Sequence, residues 1–221
     1  YAYLNDVPVV ASMMNTNTND IFYPAGYSRV ISVGATGTNN YRANPFIWGG
    51  GSTFGNHIDL CAPGDMIFGI SAFSDTDYST FWSGTSQAAP HVAGVIGLIK
   101  SLNDTLSVDS IEALLINGAV DQVGNPSEDT PGWDIYHGHG LLNAYNTLFL
   151  ANAGVDTQVA CDSFAWIDGN TYTSSNSSAT HVVTNGAGCD SLVRLDLTIN
   201  TPSSGTDTQN ACDSLVWIDG N

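Results

Sequence analysis

Basic residues are the scarcest class in this sequence. Only 4 Lys and Arg stand against 21 Asp and Glu, a formal charge of −17 at neutral pH. Phosphate backbones and anionic bilayers repel such a surface, which argues against nucleic acid as a partner. Long apolar runs are missing too. The longest, Val92-Ala93-Gly94-Val95-Ile96-Gly97-Leu98-Ile99, is broken by glycines and falls well short of the roughly 18 residues that span a bilayer. No initiator Met and no signal peptide open the chain. Its first residues already read like the interior of a domain, so the sequence is expected to be a piece of a longer protein. What is present is the material of a core: 43% apolar residues, with 5 Trp, 9 Tyr and 8 Phe. A length of 221 residues suffices for one domain of ordinary size and a remainder.

The remainder is a repeat. Asp156-Thr-Gln-Val-Ala-Cys-Asp-Ser-Phe-Ala-Trp-Ile-Asp-Gly-Asn170 recurs as Asp207-Thr-Gln-Asn-Ala-Cys-Asp-Ser-Leu-Val-Trp-Ile-Asp-Gly-Asn221, with 12 of 15 positions identical at a spacing of 51. The boundary in front of it falls near 151–155. The expected organisation is therefore a first domain over 1–151, one repeat over 156–206 and the start of a second over 207–221.

Up to residue 151, short apolar runs alternate with segments of helical period. Val7–Met14, Arg29–Val33 and His57–Leu60 read as strands. Ser86–Ser101 places Ala88, Ala89, Val92, Val95, Ile96 and Ile99 on one helical face. Ser107 is placed to cap a second helix through Ile111, Leu114 and Leu115. Leu141–Leu150 reads as a third. This pattern predicts an α/β domain with a parallel sheet. From residue 156 the period becomes two: Val193, Leu195, Leu197 and Ile199 alternate with Arg194, Asp196 and Thr198. Asp168-Gly169 inside Trp166–Tyr172 is a hairpin turn signal. This part reads as a small all-β module.

Of the 4 cysteines, Cys61 lies in an apolar strand and is expected to be a buried free thiol. Cys161 and Cys189 fall within one repeat, where a small core gains most from a disulfide. A Cys161–Cys189 bridge is the expectation, against the alternative of three free thiols in the repeats.

The segment richest in chemistry is Ser83-Gly84-Thr85-Ser86-Gln87-Ala88-Ala89-Pro90-His91-Val92-Ala93-Gly94. A glycine turn feeds a serine into the start of an apolar helix. The unpaired N–H groups and partial positive charge there suit a nucleophile whose attack on a carbonyl leaves an oxyanion. Pro90 takes the usual intrahelical donor away from the Ser86 carbonyl, which is expected of a buried proline only where that geometry is wanted.

This segment closely resembles the signature around the nucleophilic serine of the subtilisin-like serine proteases. Their Gly-Thr-Ser-x-Ala-x-Pro-His-Val-Ala-Gly pattern stands without a gap as Gly84–Gly94. The resemblance extends, in family order, to Val9–Asn15, Tyr23-Pro24-Ala25, Val30–Ala35, Asp59-Leu60-Cys61-Ala62-Pro63-Gly64 and Gly138–Ala144. It implies a subtilisin-like parallel sheet with flanking helices, hydrolysis of peptide bonds in a protein or peptide substrate, Ser86 as nucleophile and Asn15 as side-chain donor to the oxyanion. Asn17 or Asn19 takes that role if the strand ends a turn later. Two positions depart from the family: Met14, beside Met13, stands where glycine is usual, and Phe22 where a small residue is common. In the family these positions border the pocket for the side chain before the scissile bond, so bulk here implies a preference for small side chains. The family's catalytic Asp and His lie N-terminal to all of this. Neither Asp-Ser/Thr-Gly nor His-Gly-Thr-His occurs in the chain, so residues 1–221 alone are expected to have negligible activity.

The repeats resemble the Cys-Asp-Ser/Trp-x-Asp-Gly-Asn repeats of secreted and surface proteins of Bacteroidetes-type bacteria, which implies export, spacing or surface attachment. A different reading keeps the fold as a non-catalytic scaffold in a surface or adhesion protein. An α/β-hydrolase esterase is disfavoured, since Gly84-Thr85-Ser86-Gln87-Ala88 lacks the second glycine of Gly-x-Ser-x-Gly. Gly49-Gly50-Gly51 lacks the Lys-Ser/Thr of a phosphate loop. His91 lies off the serine's helical face, and the family treats it as structural. His137 and His139 read as loop residues before the last helix. No cofactor is expected. Structural calcium is common in the family, but no ligand set stands out, and the Asp of each Trp-Ile-Asp-Gly-Asn unit reads as a turn residue.

Overall fold

A computed structural model describes residues 1–71, 73–184, 190–201, 210 and 212. The chain divides into two compact units, Tyr1–Gly154 with Val183–Leu192, and Val155–Val182 with Val193–Asn221.

The first unit is built on three parallel strands, β1 (Val10–Ser12), β2 (Ile31–Thr36) and β3 (Leu60–Pro63), in the order β1-β2-β3. β2 is central and buried at every position. The strands are shorter or shifted relative to their apolar runs, for identifiable reasons. β1 does not reach back to Val7, because Pro8 has no N–H to give, nor on to Met14, whose φ is +77°. β3 begins at Leu60 instead of His57. The carbonyl of His57 and the carboxylate of Asp59 turn aside to accept hydrogen bonds from Ser32, the Ser32 N–H reaching Asp59 at 2.7 Å. Burial raises the Asp59 carboxyl above its ordinary range, while those two Ser32 bonds favour the ionised form. The connections β1–β2 and β2–β3 contain no helix. The helices instead follow in series after an antiparallel pair, β4 (Ile67–Gly69) with β5 (Thr80–Trp82).

α1 (Thr85–Leu102) lies on the parallel sheet. Its Ala88, Val92, Val95, Ile96 and Ile99 pack with Ile31, Val33, Ala35, Leu60 and Ala62 in one core, to which α2 (Val108–Gly118) adds Ile111 and Leu115. Ser107 caps α2 as its sequence suggests, accepting the Ser110 N–H at 3.2 Å. α3 (Ala144–Ala151) is capped in the same way by Asn143 and is shorter than the run Leu141–Leu150 implies, because Leu141 and Leu142 pair with Val120 and Cys61 before the helix starts. Pro90 corrects one expectation: it sits on the exposed side of α1, and the helix runs through it. Cys61 is wholly buried, and that burial pushes its thiol far above the ordinary range, so it stays protonated and inert.

After α3, the regular elements among the described residues are the strands β6 (Gly154–Cys161), β7 (Phe164–Ala165), β8 (Thr171–Tyr172), β9 (Thr180–Thr184) and β10 (Asp190–Asn200), with sheet orders β6-β10-β9 and β7-β8. The period-two pattern is realised: Leu195 and Leu197 are buried, Asp196 and Thr198 exposed. Trp166 fills this small core with them. The Trp166 ring N–H donates to Asp156 at 2.8 Å, and Asp168 organises the turn by accepting the Asn170 N–H and the Tyr172 hydroxyl. Asp156, Trp166, Asp168 and Asn170 are all positions that recur in the second copy. Cys189, and with it the Cys161–Cys189 bridge, lies outside the described residues, as does nearly all of 207–221.

The start of α1 is pressed against the sheet by Gly64, at the end of the Asp59–Gly64 motif. A Cβ there would come within 2.6 Å of Ala35 Cβ, 2.9 Å of the Gly84 carbonyl oxygen and 3.1 Å of Ala88 Cβ. Gly64→Ala is therefore expected to cost about 1–3 kcal/mol as an overpacked contact, read as a lowered urea midpoint. An unchanged midpoint would mean that the helix start is not so confined.

Candidate active site

α1 begins at a residue that has to be glycine. Gly84, its N-cap, holds φ +153° and ψ 163°, a region open essentially to glycine alone. Its N–H donates to the Gly64 carbonyl at 2.7 Å, and a Cβ on it would meet Asn15 Nδ2 at 3.3 Å. The turn therefore brings the end of β1 and the start of α1 within side-chain reach of each other. Asn15, three residues beyond β1, bridges them: its Oδ1 accepts the Thr85 N–H at 2.8 Å and the Thr85 hydroxyl at 3.0 Å. Thr85 is fully buried, so this hold is fixed. The two bonds occupy the carbonyl end of the Asn15 carboxamide, and among the described residues its Nδ2–H₂ end donates to none.

Ser86 follows immediately. It is exposed, and among the described residues none shares a hydrogen bond with its hydroxyl. Standing second in α1, its own N–H has no intrahelical acceptor. The Ser86 hydroxyl, a backbone N–H without an intrahelical acceptor and the carboxamide held on Thr85 thus stand at the positive end of an 18-residue helix. Such an arrangement can hold the oxygen of an attacked carbonyl as it becomes negative. Ser86 lines a shallow depression of about 280 Å³ with Ile67, Gln87, Pro90 and His91. A larger polar cavity of about 520 Å³, lined by Arg42, Asp65 and Glu128 among others, shares none of these residues.

The other sequence candidates separate. Asn17 is occupied elsewhere, its Oδ1 accepting from Arg42 at 2.7 Å, which leaves Asn15 as the carboxamide beside Thr85 and Ser86. His91 lines the same depression, but its Nδ1 lies 2.8 Å from the Gln87 carbonyl and makes no bond to Ser86. Met13 corrects the expectation that it borders a substrate pocket: it is completely buried with Ala11, Ala25, Ile58 and Cys61, so no ligand can touch it. Its N–H continues the sheet by donating to Val33, which turns its side chain into the core. Met14, next in the chain, is exposed, and Phe22 is half-buried. The part played by Thr85 was missed in the sequence. The only available signal was its place between a required glycine and the serine. Arg42 was missed too. Its guanidinium lies over the rings of Phe54 and Tyr136, 5.0 and 5.2 Å from their centroids, and ion-pairs with Glu128 at 2.8 Å, bracing the 14–18 segment through Asn17.

Met14 carries strain. A methionine at φ +77° stands where a left-handed conformation costs an L-residue roughly 1–2 kcal/mol. Met14→Gly is expected to raise stability by about 1 kcal/mol, less the entropy that glycine loses on folding. A chemical-denaturation series measures this. A drop in stability would show that Met14 contributes more by packing than its backbone costs.

Comparison with known proteins agrees with this geometry. The profile of the Subtilase family matches residues 2–140. Subtilisin DY of Bacillus licheniformis is 34% identical over 146 residues, which cover 64% of this chain and 47% of that protein. Thermitase of Thermoactinomyces vulgaris is 34% identical over 148 residues, covering 67% and 46%. The chain thus spans about half the length of these curated relatives. Among solved structures, the prenylagaramide maturation protease PagA superposes with a TM-score of 0.54 at 25% identity, over 66% of this chain and 51% of that one. With more than half of its length matched by the family profile and the family's serine segment folded at a helix start, the chain belongs to the subtilase family.

Proposed function

We propose that this chain carries the nucleophile and the oxyanion cradle of a serine endopeptidase, and that the parent protein supplies the base from a segment outside residues 1–221. The observation that supports the reading is the Asn15–Thr85 pair, which holds a carboxamide against the residue immediately before Ser86. In the proposed reaction the Ser86 Oγ adds to the carbonyl carbon of a peptide bond. A histidine takes the Ser86 proton, and an aspartate orients that histidine. The electron pair of the C=O moves to oxygen, where the Ser86 N–H and Asn15 Nδ2 receive it. Collapse breaks the C–N bond and the histidine returns the proton to the departing amine. Water then releases the acyl group by the same steps. Met14 and Phe22 narrow the pocket for the side chain before the scissile bond and favour small residues there. Efficient cleavage after Phe or Tyr by the full protein would overturn that preference.

Residues 156–206 and 207–221 belong, in this reading, to a repeat module that spaces or anchors the protease outside the cell. Among the described residues no helix is long and apolar enough to cross a membrane.

The test uses the full-length protein. A fluorophosphonate probe is expected to label it at Ser86, and Ser86→Ala to abolish labelling and peptidase activity. Asn15→Ala is expected to lower turnover by about 10²–10³, a magnitude carried over from the corresponding donor of subtilisin. Residues 1–221 alone are expected to label negligibly. A full-length protein that neither labels nor cleaves peptides would favour the scaffold reading instead.

A further inference from the structure

The segment between α2 and α3 folds back on itself through paired contacts of Asp134 with Gly138 and of Val120 with Leu141. Inside it Asp129, Asp134 and His137 converge. One ligand atom from each lies within 4.8 Å of the other two, and the residues are only 3%, 8% and 0% exposed. Backbone amides fix both carboxylates. Asp129 accepts the Gln122 and Gly124 N–H groups, and Asp134 those of Thr130, Tyr136 and His137. An ionised carboxylate accepts at about four positions, so each keeps capacity for one more partner.

Among the described residues His137 has none of the partners a buried imidazole normally finds: neither Nδ1 nor Nε2 has a hydrogen bond to any of them, although the ring is wholly enclosed. The space beside it is kept open by a glycine: a Cβ at Gly124 would lie 2.6 Å from His137 Nε2 and 3.0 Å from Asp129 Oδ2. The one buried guanidinium among the described residues, Arg42, is committed to Glu128, Asn17 and the Ser52 carbonyl. Two enclosed carboxylates and an enclosed imidazole with idle lone pairs share one chemical remedy, a cation that takes an electron pair from each.

We propose that Asp129, Asp134 and His137 form a binding site for a divalent first-row transition cation, of which Zn²⁺ is the representative. An imidazole ligand suits such an ion, whereas Ca²⁺ and Mg²⁺ favour all-oxygen shells. Three protein ligands leave at least one coordination position for water. The backbone bonds to the two carboxylates act as the outer shell that orients ligands in such sites. The bound ion clasps residues 121–140, whose end is tied to β3 through the His139 N–H to the Asp59 carbonyl and the Cys61 N–H to the Gly140 carbonyl. The proposal does not depend on peptidase activity. It revises the reading of His137 as an ordinary loop residue, since the partners are the aspartates three and eight positions before it rather than His139.

The test is a Zn²⁺ titration of the chelator-stripped protein, followed by thermal unfolding, with X-ray absorption on the zinc-loaded form. The expected result is a saturable rise in Tm with Zn²⁺ that Ca²⁺ at the same concentration does not match. The absorption spectrum should show a nitrogen and oxygen first shell at about 2.0–2.2 Å that includes imidazole and lacks sulfur at about 2.3 Å. His137→Asn should raise the half-saturating Zn²⁺ concentration at least about a hundredfold, beyond the ~10–100-fold that outer-shell losses cost. The exposed control Asp104→Asn should leave it unchanged. If His137→Asn does not fold, Asp129→Asn and the unmutated protein's absorption spectrum decide the question. No Zn²⁺-dependent shift, the same response in the ligand variants, a sulfur-containing or imidazole-free shell, or a larger response to Ca²⁺ would each overturn the assignment.

Discussion

One carboxamide oxygen joins two elements that are 70 residues apart in the chain. Asn15 Oδ1 accepts both the N–H and the hydroxyl of Thr85, and the geometry at Ser86 depends on that pair of bonds. Each bond is of ordinary strength, about 0.5–1.5 kcal/mol net. They also bear on direction, because with the oxygen end held on Thr85 the N–H₂ end is turned away from it. Burial of Thr85 removes the water that would otherwise compete.

The rest of the first unit can be read as what that juxtaposition requires. Gly84 allows the backbone to turn into α1 with Asn15 close beside it, and Gly64 lets the helix start approach the sheet without a Cβ in the way. Ala88 keeps the next turn thin, while Val92, Val95, Ile96 and Ile99 seat the helix on β2 and β3. The left-handed Met14 then ends β1 and delivers Asn15 to Thr85. A strained residue next to the proposed oxyanion donor fits the general pattern of conformational cost concentrated where geometry matters most.

The sequence carried much of this. The helical spacing from Ala88 to Ile99 and the Ser107 cap led directly to α1 and α2, because one buried face and one side-chain acceptor are local properties. The strand ends were harder to place. Pro8, Met14 and the Ser32–Asp59 bonds cut the apolar runs short, and the last of these joins residues that are distant in the chain. Motif resemblance singles out Ser86 and Asn15 as the proposed site, and the hold of Thr85 on Asn15 was not legible, since its partner lies across the fold. Met13 misled because adjacency to Met14 says nothing about which face of a strand a side chain takes. The grouping of His137 with Asp129 and Asp134 was likewise hidden, because the loop must close before they meet.

The central claim is that Asn15 Nδ2 and the Ser86 N–H grip one oxygen. The most direct measurement is a crystal structure of the full-length protein with a peptide boronic acid bound to Ser86. The account predicts one boronate oxygen within about 2.7–3.1 Å of both donors, with Asn15 Oδ1 still on Thr85. A boronate whose oxygens all turn away from Asn15, or an Asn15 carboxamide flipped so that its oxygen faces the ligand, would contradict it.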